Sequence, residues 1–455
     1  MTMTNRIRSV AIALAAGAVS LQAFGGWGIK AITDVKKYTG SCTNGVWEFD
    51  FQKVTVGDVT GLRLSSCKAG SGALDLTGFA EQSGCGYEVT SIWRDLFKSS
   101  AVLTSFVGPH VVDVQSGAFQ LSSVTSIVVS NGFCSVAEKA FYRTSSLVSF
   151  EPTTLPALVR PQTSMFQQSA VRGDFVFPAA VAIGQNCFNG ADGVTSVSAP
   201  VCLDVGDAAF KGATSLTNFY GPNVVRILPH TDNKVFNGGF MSAASLVSVV
   251  LSNGIMQLGT SCFNGAASLK SLYPTSMPAL TNLGQSAFVS TAKLTADLEF
   301  PALQDLSVSA FSGSGVRSVR APLARTLGRD VFSGCPNLQE VTILGSTTAI
   351  YQTAIYNVAE GCSLNWLGPD VPSQIGNKGL RRSDNPSTDK TKIFVRLKDK
   401  RALPGWLALC KNVPPSADDC QDPSYPGRCA KGLISSNGNF AWVCAPTEGL
   451  MLILR

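Results

Sequence analysis

The segment Leu283-Gly-Gln-Ser-Ala-Phe288 decides the fold, because copies of it recur along the chain. Each copy begins with an aliphatic residue, which in most cases is followed by Gly. Two variable residues, a small residue and then Phe come next. The clear copies are Val205–Phe210, Leu258–Phe263 and Leu327–Phe332, and the looser ones are Val114–Phe119, Val136–Phe141, Ile183–Phe188 and Leu306–Phe311. Phe166 and Phe236 keep the spacing in degenerate surroundings, and Phe97 opens the series. The Phe returns about every 24 residues, which indicates a repeat architecture.

A second string follows each Phe, usually six residues later, as in Leu269-Lys-Ser-Leu272. It consists of Leu or Val, two mostly polar residues, and an aliphatic residue or Phe. Other copies are Leu147–Phe150, Val194–Val197, Leu216–Phe219, Val316–Val319 and Leu338–Val341. After Phe236 the partner Leu246 comes ten residues later, which predicts an insertion of four residues in that turn.

The two strings together predict a solenoid of stacked coils. Leu-x-x-Val gives a short strand, equivalent strands stack into a parallel sheet, and a following Pro ends the strand because it has no N–H to donate. The Gly-x-x-Ala-Phe segment turns the chain and places Phe in the interior. A single coil cannot bury its apolar residues alone, so the coils stabilise one another by stacking.

These motifs resemble the BspA-like class of leucine-rich repeats, whose units read roughly Leu-x-x-Leu-x-Leu-Pro and then Ile-Gly-x-x-Ala-Phe. The resemblance covers about residues 93–365. The segments Trp366–Ile375, Thr391–Val395 and Pro404–Trp406 are similar to the ends of several such arrays, except that Arg396 stands where the family often ends the strand. The resemblance implies a leucine-rich-repeat array with N- and C-terminal caps, in a secreted or surface protein associated with adhesion to matrix proteins or cells.

The remaining segments are expected to export and cap the array. Residues 1–23 combine two Arg, an apolar run and small residues, as a Sec signal peptide does, with cleavage after Ala23 or Ser20. An uncleaved anchor is the alternative, although the apolar run is short for a membrane span. Residues 24–92 are predicted to be an N-terminal cap and residues 366–455 a C-terminal cap with a cysteine-bearing tail. The mature chain is expected to have no membrane span.

An exported chain meets an oxidising environment, so the thirteen cysteines raise the question of disulfides. Cys410, Cys420, Cys429 and Cys444 crowd the tail, and two bridges are predicted there in any of three connectivities. A zinc site and free thiols are the alternatives. Cys187, Cys262 and Cys335 occupy small-residue positions of the repeat and are expected to be buried as small apolar side chains. A catalytic thiol is the alternative, but it needs a base.

Alternation along each strand predicts which side chains form the exposed face of the sheet. The fourth residue of Leu-x-x-Val points inward, so its two neighbours point outward. This predicts a binding face that contains Ser126, Ser149, Ser196, Asn218, Tyr220, Ser248, Ser271, Tyr273, Ser318 and Arg320. Tyr and Arg are enriched at interface hot spots. The plain alternative is that Ser keeps a flat sheet face soluble.

Composition excludes several functional classes. The chain has only two His, and charged residues make up 15% of it, well below the roughly 25% of typical soluble domains. No catalytic residue, metal site or cofactor is therefore predicted. The net charge of +6 is not spread along the repeats, so nucleic acid is not an expected partner. The charge belongs to a basic cluster, expected to be a solvated loop or else a site for anionic glycans: Lys378, Arg381, Arg382, Lys390, Lys392, Arg396, Lys398, Lys400 and Arg401, opposed by Asp384, Asp389 and Asp399.

Three functions compete at this point. A non-catalytic scaffold that binds a protein or glycan at a cell surface fits the repeats and the exposed face. A structural envelope protein without a specific ligand is the second possibility. A parallel β-helix enzyme that degrades polysaccharides is the third, but it needs clustered carboxylates. The closest pair in the regular coils, Asp204 and Asp207, flanks a repeat turn and is expected to serve that turn.

Overall fold

The recurring phenylalanines form stacked ladders in the interior. The computed structural model describes residues 26–228, 238–346, 349–381, 393–410, 432–434 and 441–444. The chain divides into a first unit, Met1–Tyr220, and a second unit, Gly221–Arg455. Neighbouring rings lie 5.2 to 5.6 Å apart from Phe97 to Phe210 in the first unit, and 5.3 to 5.4 Å apart from Phe240 to Phe332 in the second. The repeat of Phe in the sequence is thus a repeat of core positions.

The ladder contains Phe240, which the sequence patterns did not single out, whereas the prediction for Phe236 falls on a residue that the structure does not describe. Phe240 is fully buried and stacks on Phe263 with 5.4 Å between ring centroids. Phe240 lies six residues before Leu246, which is the regular spacing, so no residues are inserted after the Phe. The extra residues lie before it, because Ile227 precedes Phe240 by thirteen residues where Leu258 precedes Phe263 by five. Phe236 itself lies outside the described residues.

Within its described residues, 26–220, the first unit contains strands of 2 to 11 residues and one short helix, α1 (Phe79–Ser83). Its strands are β1 Gly28–Asp34, β2 Thr39–Thr43, β3 Glu48–Val56, β4 Val59–Ala69, β5 Gly72–Asp75, β6 Val89–Ile92, β7 Leu103–Val107, β8 Asp113–Val114, β9 Ser126–Val128, β10 Ser135–Val136, β11 Ser149–Glu151, β12 Arg172–Val176, β13 Ala182–Ile183, β14 Gly193–Ser198, β15 Asp204–Val205 and β16 Asn218–Tyr220.

The second unit repeats this design and contains the helix α2 (Leu403–Ala408), which follows a 3-10 turn at Lys400–Ala402. Its strands are β17 Arg226–Ile227, β18 Ser248–Val250, β19 Gln257–Leu258, β20 Ser271–Tyr273, β21 Asn282–Leu283, β22 Asp297–Glu299, β23 Asp305–Leu306, β24 Ser318–Ala321, β25 Thr326–Leu327, β26 Glu340–Ile343, β27 Ile355–Tyr356, β28 Ser363–Trp366, β29 Leu380–Arg381, β30 Ile393–Leu397, β31 Gly432–Ile434 and β32 Ala441–Cys444.

Each regular coil contributes one longer strand and one two-residue strand, and each kind stacks with its own kind. In the first unit the order β11-β9-β7-β5 holds longer strands, and β12, β14 and β16 pair in that order. In the second unit the order is β22-β24-β26-β28-β30-β32-β31, while β17, β19 and β21 pair as two-residue strands. The pairs between coils are parallel, which is the leucine-rich-repeat solenoid predicted from the sequence.

The two ends of the array depart from the regular coil. Strands β1 to β4 pair antiparallel, and β4 then pairs in parallel with β6, so parallel stacking begins within residues 59–92. At the other end β30 pairs in parallel with β28 and β32, and the Trp406 ring of α2 packs at 5.0 Å against Trp366. The boundaries of the two caps stay a prediction.

The sheet of longer strands is interrupted once in each unit. Strand β11 ends at Glu151 and β20 ends at Tyr273, each directly before a Pro. The next coil pairs a few residues later instead, through the bridges Thr154–Val176 and Ser276–Glu299. The rows of outward-facing side chains are therefore displaced at these two places.

At some positions the Gly of the repeat lies so close to the preceding coil that no side chain fits. A Cβ on Gly284 would lie 2.4 Å from the carbonyl carbon of Gly259 in the preceding coil, and a Cβ on Gly206 would lie 2.6 Å from the Gln185 amide nitrogen. Such contacts involve backbone on both sides, so the coils themselves would have to move apart.

We expect Gly284→Ala to destabilise the second unit by about 1–3 kcal/mol through overpacking. Gly254→Ala is a matched control, since a Cβ there meets only side-chain atoms at ordinary contact distance, the Ser252 hydroxyl oxygen at 3.4 Å and Val225 Cγ1 at 3.9 Å. The control should lose nothing and can gain up to about 1 kcal/mol from a less flexible unfolded chain. Urea unfolding measures both variants, and equal stability of the two would contradict the steric explanation.

Candidate binding face

The strands sort their side chains into a buried row and two outward rows. The predicted inward residues are all at most 4% exposed: Ile127, Phe150, Val197, Phe219, Val249, Leu272, Val319 and Val341. Their neighbours on each strand face the other way, as strand alternation requires. The outward rows form the candidate binding face.

In the first unit the structure brings the predicted residues together in two groups. Ser126 and Ser149 are paired neighbours on β9 and β11. Ser196 pairs with Asn218, and Ser198 pairs with Tyr220, on β14 and β16. The interruption after Glu151 separates the two groups. Tyr220 exposes 48% of its surface, so its ring is available to a ligand.

In the second unit the predicted residues again form two groups. Ser248 pairs with Ser271, and Tyr273 pairs with Val250. Ser318 and Arg320 lie together on β24, beyond the interruption between β20 and β22. Tyr273 is 56% exposed. The Ser, Tyr and Arg positions are thus all on the outward rows, and whether they bind a ligand stays a prediction.

Sequence reasoning missed the acidic residues of this face. In the first unit Asp174 Oδ1 accepts hydrogen bonds of 2.6 Å from Ser196 Oγ and from Thr195 Oγ1, and these bonds lower the pKa of Asp174. In the second unit Asp297 Oδ1 accepts a 2.8 Å hydrogen bond from Ser318 Oγ. Each Asp stands directly before an inward-facing residue, so the rule that selected the Ser row would have found both, had strands β12 and β22 been recognised.

Toward the end of the second unit the outward row is no longer accessible. Glu299, Arg320, Thr342, Asn365 and Arg396 are consecutive cross-strand neighbours. The first two are half-exposed, whereas Thr342, Asn365 and Arg396 are at most 5% exposed. The accessible part of this row therefore ends at β24.

The expectation that Arg396 belongs to a solvated basic loop is wrong. Arg396 is 4% exposed, and its Nη1 donates a 2.9 Å hydrogen bond to Ser363 Oγ. It lies inside strand β30, where neighbouring strands set its surroundings. The basic cluster is therefore not one uniform solvated loop. Arg401, unlike Arg396, lies at the surface, where it pairs with Asp399 at 2.7 Å. Arg382, Lys390, Lys392, Asp384 and Asp389 lie outside the described residues.

The cysteines of the repeats are buried thiols. Cys187, Cys262 and Cys335 are fully buried, and burial raises the pKa of Cys335 to about 12 and that of the other two as well. A thiol held protonated is a poor nucleophile, which favours the packing role. No disulfide joins two cysteines of the described ranges. Cys420 and Cys429 lie outside those ranges, so the pairing of the tail cysteines Cys410, Cys420, Cys429 and Cys444 stays a prediction.

No sign of a metal site appears in the part of the chain that the structure describes, where no three His, Cys, Asp or Glu side chains are grouped to hold an ion. Across the same residues, no helix has the length and apolar character needed to cross a membrane.

Comparison with known proteins gives a family match. The model of the BspA type leucine rich repeat region matches in six copies, over residues 112–237, 181–315 and 233–360, which together span more than half of the chain. No curated protein matches.

The solved structures that match include three bacterial proteins. A leucine-rich repeat protein from Bacteroides ovatus is 13% identical, with 64% of this chain and 92% of that chain covered and a TM-score of 0.28. A leucine rich cell surface protein from Faecalibacterium prausnitzii is 16% identical, with 67% and 88% covered and a TM-score of 0.31. The pneumococcal vaccine antigen PcpA is 11% identical, with 80% and 95% covered and a TM-score of 0.36. At these values the similarity says nothing about ligand or activity.

Proposed function

The chain belongs to the BspA type leucine-rich repeat family, and from this premise we propose that it is a non-catalytic scaffold, secreted or held at a cell surface, that binds a protein or a glycan. The observation that carries the proposal is the outward face of the parallel strands. It presents polar and aromatic side chains at regular spacing on a rigid backbone, with Tyr220 and Tyr273 half-exposed. Rigid elements hold contact residues in place at low entropic cost.

The proposal includes the organisation of the chain. Residues 1–23 direct export and are removed, residues 24–92 cap the first coil, residues 93–365 form the repeats, and residues 366–455 cap the last coil. Support for the caps comes from the change to antiparallel pairing at β1–β4 and from the packing of Trp406 on Trp366. A repeat array needs such ends, because its terminal coils would otherwise expose their apolar interior.

Two observations weigh against an enzyme. Burial keeps the repeat thiols protonated, and hydrogen bonds from Ser196 and Thr195 lower the pKa of Asp174. Glycoside hydrolysis instead requires a carboxyl group whose pKa is raised, so that it can act as the general acid. The other competing function, an envelope protein without a ligand, differs from the scaffold only in binding, so a binding screen separates them.

We expect the double variant Tyr220→Ala and Tyr273→Ala to lose at least tenfold in affinity for the ligand, because exposed aromatic residues contribute much of the binding energy at interfaces. The ligand is first identified by screening the exported protein against arrays of matrix proteins and glycans. Tyr351→Ala is the control, since Tyr351 is 50% exposed but lies beside the row of two-residue strands. Failure of every array to bind, or full binding by the double variant, would overturn the proposal.

A further inference from the structure

Strands β22 and β24 in the second unit, together with Arg317 directly before β24, carry two carboxylates and two guanidinium groups on one exposed surface. Asp297 Oδ2 accepts a 2.6 Å hydrogen bond from Arg317 Nη2, while its Oδ1 accepts the bond from Ser318. Glu299 Oε1 lies 4.0 Å from Arg320 Nε. All four charged side chains are between 51% and 55% exposed. The surface therefore offers planar donors and planar acceptors side by side.

The pair Asp297 and Arg317 and the pair Glu299 and Arg320 differ in how many hydrogen-bonding groups remain available to a ligand. Both oxygens of Asp297 are engaged, so its orientation is fixed by the next coil. The Glu299 and Arg320 contact is too long for a hydrogen bond. Within the described ranges, the guanidinium of Arg320 makes no hydrogen bond. Glu299 and Arg320 thus present an acceptor and a fork of donors that a ligand can reach.

An aromatic ring lies on the coil just before these pairs. Tyr273 ends β20, and three residues later Ser276 bridges to Glu299. Among the exposed side chains of β20, β22 and β24 there is one aromatic residue and no aliphatic residue. Protein partners usually bury an apolar cluster at the centre of an interface. A single exposed ring among hydrogen-bonding groups does not provide such a cluster.

The charge of this surface restricts the ligand further. Asp297, Glu299 and the neighbouring Glu340 are balanced by Arg317, Arg320 and the exposed Lys270, so the surface has no net charge to attract a polyanion or a polycation. A neutral sugar matches it, because a sugar ring has an apolar C–H face for the tyrosine ring and neighbouring hydroxyl groups that both donate and accept. Planar carboxylate and guanidinium groups bind such neighbouring groups in a bidentate manner.

The extent of the site is set by the strands on either side of β22. Across the sheet, the accessible row ends at Arg320 because Thr342 is buried. On the other side lies Tyr273, on β20. Three adjacent coils span roughly 10 Å at the usual spacing between strands. This is the length of a short oligosaccharide segment.

We propose that Tyr273, Asp297, Glu299 and Arg320 form a binding site for a neutral oligosaccharide. The inference rests on the proposed scaffold function and names the chemical class of ligand for its second unit. Tyr273 stacks on the sugar ring, Glu299 and Arg320 hydrogen-bond its hydroxyl groups, and Asp297 keeps the strand face ordered through Ser318 and Arg317.

Affinity gel electrophoresis of the full chain tests the site with defined polysaccharides. The neutral probes are β-glucan, xylan, mannan and galactan, and the anionic probes are heparin and polygalacturonate. We expect at least one neutral probe to retard the protein, and Tyr273→Ala, Glu299→Gln and Arg320→Met each to weaken that binding about tenfold or more. Tyr351→Ala should bind as the unaltered protein does. Raising NaCl from about 50 mM to about 500 mM should leave the retardation unchanged, because no net charge is involved.

Circular dichroism of each variant excludes loss of fold as the cause. Retardation by anionic probes alone, or neutral binding that survives all three substitutions, would overturn the saccharide site. If a matrix protein binds and depends on Tyr220 and Tyr273 while no neutral probe binds, the saccharide site is wrong and the scaffold function stands. If neither class binds, both are wrong.

Discussion

Replacing Phe288 with Ala is expected to cost the second unit about 3–5 kcal/mol of unfolding free energy, the range for removing a buried Phe. Phe288 is fully buried, and its ring stacks between Phe263 and Phe311 with 5.3 Å between centroids on each side. The substitution therefore removes two aromatic contacts and opens a cavity inside the ladder.

The loss should be local as well as large, because each coil in a repeat array contacts only its neighbours. Equilibrium unfolding in urea gives the free energy, and hydrogen exchange maps the affected amides. We expect β20, β22 and β24 to lose protection most, while β7 and β9 in the first unit keep theirs.

Two variants serve as controls for Phe288. Phe288→Leu keeps most of the apolar volume and should cost clearly less, about 1–2 kcal/mol. Tyr351→Ala removes a half-exposed ring and should change stability by about 0.5 kcal/mol or less. A loss below about 1 kcal/mol for Phe288→Ala would show that the stacked Phe rings contribute little to the stability of the core.

The ladder could be predicted because its signal is repeated in every coil. Phe240 is the exception, because a regular step of about 24 residues from Phe210 leads closer to Phe236 than to Phe240. The choice between them depends on the Leu-x-x-Val string that follows. Leu246 stands at the regular distance from Phe240, and the sequence offered this clue. The location of the insertion, before rather than after the Phe, was the part that local pattern matching placed wrongly.

The sequence could predict which residues of each strand face outward, but not where along the array these residues stop being exposed. Alternation identifies which neighbours of Val319 face outward, since it depends only on strand geometry. It does not show that the same row is exposed at Arg320 and buried at Arg396. Burial of Arg396 follows from residues that are distant in sequence, such as its hydrogen-bonding partner Ser363.

A buried polar cluster near the start of the array escaped sequence analysis altogether. Arg63, Ser91 and Asp113 are cross-strand neighbours on β4, β6 and β8. Asp113 Oδ2 accepts a 2.6 Å hydrogen bond from Ser91 Oγ and a 2.8 Å bond from Gln115 Nε2, and it lies 3.5 Å from Arg63 Nη2. The Arg63 guanidinium also lies 4.9 Å from the Trp93 ring centroid. These contacts join the antiparallel strands to the first coils.

Asp113→Ala is therefore expected to destabilise the first unit by about 3 kcal/mol, the lower end of the range for removing one partner of a buried ion pair. Only 2% of the Asp113 side chain is exposed, so its hydrogen bonds are shielded from water, whereas Arg63 keeps 16% exposure and can be partly rehydrated. Thermal unfolding gives the stability, and hydrogen exchange should show β4 and β6 opening first.

Asp305→Ala is the matched control, because Asp305 holds the same place in its coil, directly before the inward-facing Leu306, but is exposed and bonded to Thr326. It should cost about 1 kcal/mol or less. The double variant Arg63→Met and Asp113→Leu replaces both charges with apolar groups and should recover most of the stability lost in Asp113→Ala, since the main cost lies in leaving one charge unpaired. If Asp113→Ala and Asp305→Ala are equally mild, the cluster contributes nothing beyond an ordinary surface position, and the antiparallel strands must be held to the coils by their apolar contacts alone.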